Sequence, residues 1–249
     1  MSDMETGMYL FFLSLLVFYN IVYPLIQMFR HRKNPKNPLA EPLSEMDKII
    51  YYKKIMAFSW GQVLVISGLC LFAGISFYDI GFRGISLNQA TWLTALVFSL
   101  CGIYLVANIY DMVAFLRKPE YREEQKGELA KAVPNGSVNN LLPRSRKERK
   151  YWSFVSLTAG ICEEITFRGF LFFLLQMIFP NMPMLLILAV TSVVFGVAHM
   201  YQGVRGMIRT GLVGALFGGL FLVTGSLIPA MFLHFISDIS SVFLFAEET

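Results

Sequence analysis

The chain has 249 residues, 55% of them apolar and only 15% charged, with a formal net charge of +4. That balance belongs to an integral membrane protein rather than a soluble globule. The surplus of base is not a nucleic-acid signature, because the basic residues flank apolar runs. The three cysteines, Cys70, Cys101 and Cys162, fit neither a disulfide framework nor a zinc ribbon.

The N-terminus, Met1-Ser2-Asp3-Met4-Glu5, is acidic where a cleavable signal would be basic, so the first apolar run is expected to stay as an anchor. That run covers residues 8–29 and is interrupted by Asn20 and Pro24; about 20 apolar residues suffice to cross a bilayer. Residues 30–54 are polar, with Arg30, Arg32, Lys33, Lys36, Lys48, Lys53 and Lys54 among Pro35, Pro38 and Pro42. Ser44 is a candidate N-cap for a short interfacial helix ending near Lys54. A second span is expected over 55–78, a short loop from Asp79 to Gln89, and a third span over 90–116 with Asp111 near its end.

Residues 117–150 are the most hydrophilic piece. They read as a solvated loop touching anionic lipid heads, with a turn at Pro134-Asn135-Gly136-Ser137. A fourth span, 151–179, leads through Pro180-Asn181-Met182-Pro183 into a fifth, 184–200, which ends in His199. Residues 201–223 read as one span, a re-entrant piece, or a turn plus a short helix. Gly214 and Gly218 there make a GxxxG spacing, for which ordinary close packing is favoured over a dimer. The last span is 226–246. The fold class is therefore all-α: a polytopic transmembrane bundle of about seven spans, six to eight. A membrane region over 1–150 precedes a second region over 151–249, which carries the ionisable motifs. With seven spans, 19 of the 21 Lys and Arg residues fall on one side. The positive-inside rule puts those loops in the cytoplasm and the N-terminus outside. There is no glycine-rich phosphate loop, heptad pattern or internal repeat.

Glu163-Glu164-Ile165-Thr166-Phe167-Arg168 places three ionisable side chains in a long apolar run. A charge at bilayer depth costs roughly 2.5–3.5 kcal/mol on insertion scales, so such groups face a bundle interior or a hydrated cavity. On a helix Glu164 and Arg168 stand at i,i+4, acid before base, the better orientation for a pair. Glu163 points about 100° away and is left free for proton transfer. Phe195 and His199 share the same spacing on the fifth span, and His234 and Asp238 share it on the last. Three spans thus each present a short polar patch. Singly, each fits a packed histidine or a polar contact between helices; together they make the inventory of a base, a histidine partner and a polarising pair.

The strings Glu163-Glu164-x-x-x-Arg168, Phe195-x-x-x-His199 and His234-x-x-x-Asp238 resemble the three motifs of the CAAX-protease and bacteriocin-processing family (Abi, or CPBP) of intramembrane proteases. That family includes the type II CAAX prenyl endopeptidases. The resemblance covers roughly residues 150–245. It implies that Glu163 activates water with the help of His199, that Glu164 and Arg168 order the motif with Phe195 in support, and that His234 and residue 238 stabilise the oxyanion. The prenyl endopeptidases usually have Asn at the last position. An ionised Asp238 cannot donate a hydrogen bond, so it is protonated, orients His234 or binds metal.

Glu163, His199, His234 and Asp238 also offer a ligand set that suits zinc, but no H-E-x-x-H accompanies it. A glutamate-type reaction without a cofactor is favoured, and zinc is the alternative. The expected partners are a membrane-associated protein or peptide substrate and the lipid bilayer, with no nucleic acid. A non-catalytic scaffold or immunity factor binding a partner in the same cavity is the competing reading. A proton-relay transporter is the third, and no inverted repeat supports it. Other protease classes fit worse: no G-x-S-x-G nucleophile is present, and Tyr110-Asp111 lacks the second aspartyl motif. His199 lies late in its span and His234 early in an opposed one, so simple span counting puts them at different depths.

Overall fold

The computed structural model describes residues 3–26, 43–87, 91–132 and 139–244. His31, the bases Arg30, Arg32, Lys33 and Lys36, the prolines at 35, 38 and 42, and the turn at Pro134-Asn135-Gly136-Ser137 lie outside the described residues. Among the described residues every regular element is helical. They are α1 (Asp3–Val17), α2 (Glu45–Ala73), α3 (Trp92–Arg117), α4 (Pro119–Ala132), α5 (Arg146–Glu164), α6 (Leu171–Ile178), α7 (Met184–Ala198), α8 (Gly203–Thr224) and α9 (Leu227–Leu244). Among the described residues, four stretches are long and apolar enough to cross a membrane: Met4–Ile26, Glu45–Ala73, Trp92–Arg117 and Met200–Thr224. The other expected spans fall on α5–α6, which carries the charged motif, and on two shorter apolar helices, Met184–Ala198 and Leu227–Ser240. The chain is an integral membrane protein with a polytopic helical bundle.

Several boundaries differ from the sequence expectation, each for a local reason. The interfacial helix and second span are one helix: Ser44 caps α2, accepting from the Asp47 amide, and Gly74 ends it at φ +67°. The hydrophilic stretch 117–150 is not loop throughout. It contains α4, which opens on Pro119 and Glu120, residues favoured in a first helical turn. Asp111 near the end of α3 accepts from the Tyr121 hydroxyl of α4 at 2.6 Å. That bond pushes the Tyr121 phenol up to about 12. Residues 201–223, left open by the sequence, are a short turn followed by the unbroken α8.

At the polar end of α5, Ser145 and Glu148 make a capping box. Glu148 is also ion-paired to Lys48 at 3.2 Å, both side chains being about 5% exposed. Lys48 further donates to the Leu142 carbonyl, and Tyr52 donates to that of Leu141. Segment 139–145 is thereby strapped across the first turns of α2. At another edge, loop 74–87 is tied to the α8–α9 turn: Ser86 N–H donates to Thr224 O and Leu227 N–H to Gly81 O. Arg83 donates to Gly225 O. Gly225 sits at φ +64°, and a Cβ there would lie 2.9 Å from the Arg83 guanidinium, so the turn requires glycine.

Glycines also set the helix spacing around the motif residues. A Cβ on Gly160 of α5 would lie 3.1 Å from both Met231 O and Phe235 N of α9, so these backbones nearly touch. A Cβ on Gly196 of α7 would lie 2.7 Å from Met207 O of α8. Gly214 and Gly218 face Phe195 and Leu188 of α7, so the GxxxG spacing is used within the chain.

Candidate active site

α5 does not continue as a regular helix past Glu164. Residues Ile165–Phe170 are wound as a π-helix before α6 resumes, a device that often sits at functional sites. All six are buried, and Gly169 within them admits the Ile80 carbonyl of loop 74–87. The local winding holds the two acids in different surroundings.

Glu164 is fully buried. Its Oε1 accepts from Arg168 Nη1 at 3.0 Å and from His234 Nδ1 at 2.7 Å. Arg168 spends its second nitrogen on the Gly214 carbonyl at 3.2 Å, and its guanidinium lies 4.1 Å from the Phe195 ring centroid. A buried charge is tolerable when paired and hydrogen-bonded in this way. Phe195 thus packs under Arg168, while its carbonyl receives His199 Nδ1 at 2.8 Å.

Glu163 is the open member, with its side chain 27% exposed. Its Oε2 stands 3.6 Å from His199 Nε2 and 3.9 Å from His234 Nε2. Asp238 Oδ2 stands 3.7 Å from the same His234 nitrogen. The structure therefore gathers Glu163, His199, His234 and Asp238 around one point, with Glu164, Arg168 and Phe195 behind them. His234 is further backed by the Phe217 ring, with centroids 5.3 Å apart.

The hydrogen bonds fix which nitrogens carry protons. Both Nδ1 atoms face acceptors, a carboxylate for His234 and a backbone carbonyl for His199, so both are N–H donors. A neutral imidazole then presents a bare Nε2. Both bare nitrogens look toward Glu163 Oε2, which is itself buried without a hydrogen-bond partner. Three acceptors converge with no donor among them, at spacings longer than a direct hydrogen bond. Such a site suits a small molecule that brings its own donors.

The two histidines reach one site, their Nε2 atoms lying 3.6 and 3.9 Å from Glu163 Oε2. α7 has 15 residues, about 22 Å of helix against roughly 30 Å of hydrocarbon, and His199 is its C-cap.

Comparison with known families matches the part of the chain that carries these motifs. Residues 148–240 match the family model for type II CAAX prenyl endopeptidase Rce1-like proteins. These residues form an Rce1-like domain. No curated protein and no solved structure matches the chain significantly. The matched family is one of proteases acting on protein substrates in membranes. All seven motif residues lie inside the Rce1-like domain. Its neighbours Gly160, Gly214 and Phe217 were not singled out for the site from sequence. Gly160 had one signal, a glycine one turn ahead of the acids; Phe217 had none, being one aromatic among many. Among the described residues no group of three or more His, Cys, Asp or Glu side chains is arranged to hold a metal ion.

Proposed function

We propose that the chain is an intramembrane endopeptidase of glutamate type, hydrolysing a peptide bond in a membrane-associated protein or peptide. The observation that carries this reading is the buried, unpartnered Glu163 Oε2 facing two imidazole Nε2 atoms. A water molecule brings two O–H donors to three converging acceptors, and its lone pair is left for attack. Glu163 takes one proton from that water as the new C–O bond forms at the scissile carbonyl carbon. His199, anchored through Nδ1, holds the same water in line. As the carbonyl enters, His234 takes up a proton from solvent at Nε2, leaving the water to Glu163 and His199; the new N–H donates to the oxyanion, and Asp238 beside it balances the imidazolium charge. Collapse of the tetrahedral intermediate breaks the C–N bond, and Glu163 returns its proton to the leaving nitrogen. Glu164 and Arg168 do not react; they hold His234 through its Nδ1–H and so fix where its Nε2 points.

The prenylated C-terminal segment of a CAAX protein is the substrate class that the family description favours. The basic segments would face the cytoplasm, where such proteins reside, and residues 1–150 would frame the domain. The test uses purified protein in lipid nanodiscs and a farnesylated peptide ending in a CAAX tetrapeptide. Cleavage that is lost in Glu163→Ala and in His199→Ala, with thermal unfolding unchanged, supports the reading. Alanine variants that keep the cellular phenotype would instead favour a partner-binding scaffold. Zinc is the second mechanism, since two Nε2 lone pairs and two carboxylates are ligands it accepts. Metal analysis of active protein, before and after chelation, separates the two: activity at well under one zinc per chain rules zinc out.

A further inference from the structure

α9 carries His234 and Asp238, yet one of its faces is held by residues outside the Rce1-like domain. The seam between α3 and α9 changes character along its length. Around Val97 and Cys101 of α3 it is apolar, with Ala230 and Leu233 in the same buried cluster. One to two turns further on it is polar. The Tyr104 hydroxyl is hydrogen-bonded to Ser237 Oγ, the residue next to Asp238. Asn108 Nδ2 donates to the Tyr104 carbonyl at 2.8 Å, and Ser240 Oγ lies 3.1 Å from Asn108 Oδ1.

Tyr104 has a second route to the site. Its ring meets the Phe217 ring edge-on at 6.1 Å, and Phe217, fully buried, lies against the His234 imidazole. An apolar seam resists separation but only weakly resists rotation of one helix about its axis. Hydrogen bonds are directional and do resist it. With side-chain tips about 6 Å from the axis, a rotation of about 10° moves His234 by about 1 Å. Misplacement on that scale can cost about a hundredfold in rate.

We propose that Tyr104 and Asn108 are positioning residues for the Rce1-like domain, fixing the rotation of α9 so that His234 and Asp238 meet Glu163. The catalytic part of this proposal rests on the function proposed above. The positional part does not, and it can be read without turnover.

The chain has three histidines, so selective ¹⁵N-histidine labelling gives three assignable imidazoles. Tyr104→Phe keeps the ring against Phe217 and removes only the hydroxyl. Its expected result is a shift of the His234 ring-nitrogen signals, with those of His199 unmoved. On the farnesylated CAAX peptide, kcat should fall about tenfold with KM within about twofold. Ser237→Ala removes the same hydrogen bond from the other partner and should reproduce both effects; it carries the test if Tyr104→Phe fails to fold. His234 signals identical to the parent's in a folded variant overturn the proposal, whatever the rate. If the parent leaves the peptide intact, or Glu163→Gln cleaves it as well as the parent, the function proposed above falls, while the histidine spectra still decide the positional claim.

Discussion

Glu148 and Glu163 lie on the same helix, 15 residues apart, and their surroundings are opposite. Glu148 Oε2 is within hydrogen-bond distance of Lys48 Nζ, the Arg144 amide and the Ser145 amide. Glu163 Oε2 is buried and receives nothing. A saturated carboxylate holds a strap and two helices together and has nothing left to offer. An unsaturated one costs the fold a hydrogen bond and keeps a lone pair available for a proton. The same residue type serves structure or chemistry according to how many donors reach it.

Substitutions sharpen this contrast, beginning with the largest effect. Glu163→Gln keeps shape and removes the base; peptide cleavage should fall about 10⁴-fold, with thermal unfolding unchanged or slightly improved. A cleavage rate within tenfold of the parent would break the contrast at its reactive end. Lys48→Ala leaves Glu148 buried without its cation and should cost about 3–5 kcal/mol, read as a lower unfolding temperature in detergent, while folded molecules retain their kcat. Loss of kcat without loss of stability would mean that the strap belongs to the chemistry. Gly160→Ala presses on the α9 backbone and should cost about 1–3 kcal/mol, with kcat falling more than stability alone accounts for. Ser44→Ala removes the α2 cap and should cost about 1 kcal/mol in unfolding, with no change in kcat or KM.

Local chemistry was legible where residues announce themselves. Ser44 as a cap, the Glu164–Arg168 pair and the inward polar patches follow from residue type and helical spacing. The π-helix after Glu164 was not legible, because Ile165–Phe170 is an ordinary apolar string whose winding is set by neighbours such as the Ile80 carbonyl. Helix α4 was hidden for a related reason: a charged sequence suits a surface helix as well as a loop. The joining of His199 and His234 depends on where α7 stops, and an apolar run of uniform composition carries no mark of its end. The α3 residues that hold α9, Tyr104 against Ser237 and Asn108 against Ser240, are more than 120 residues away in the chain, beyond any periodicity.

The shortness of α7 has a consequence for the lipid around it. A 15-residue rod is shorter than the hydrocarbon thickness, so a bilayer beside His199 would thin or draw its headgroups in. On the function proposed above, each bond cut consumes one water, and a membrane dimpled at this corner would supply it from the aqueous phase.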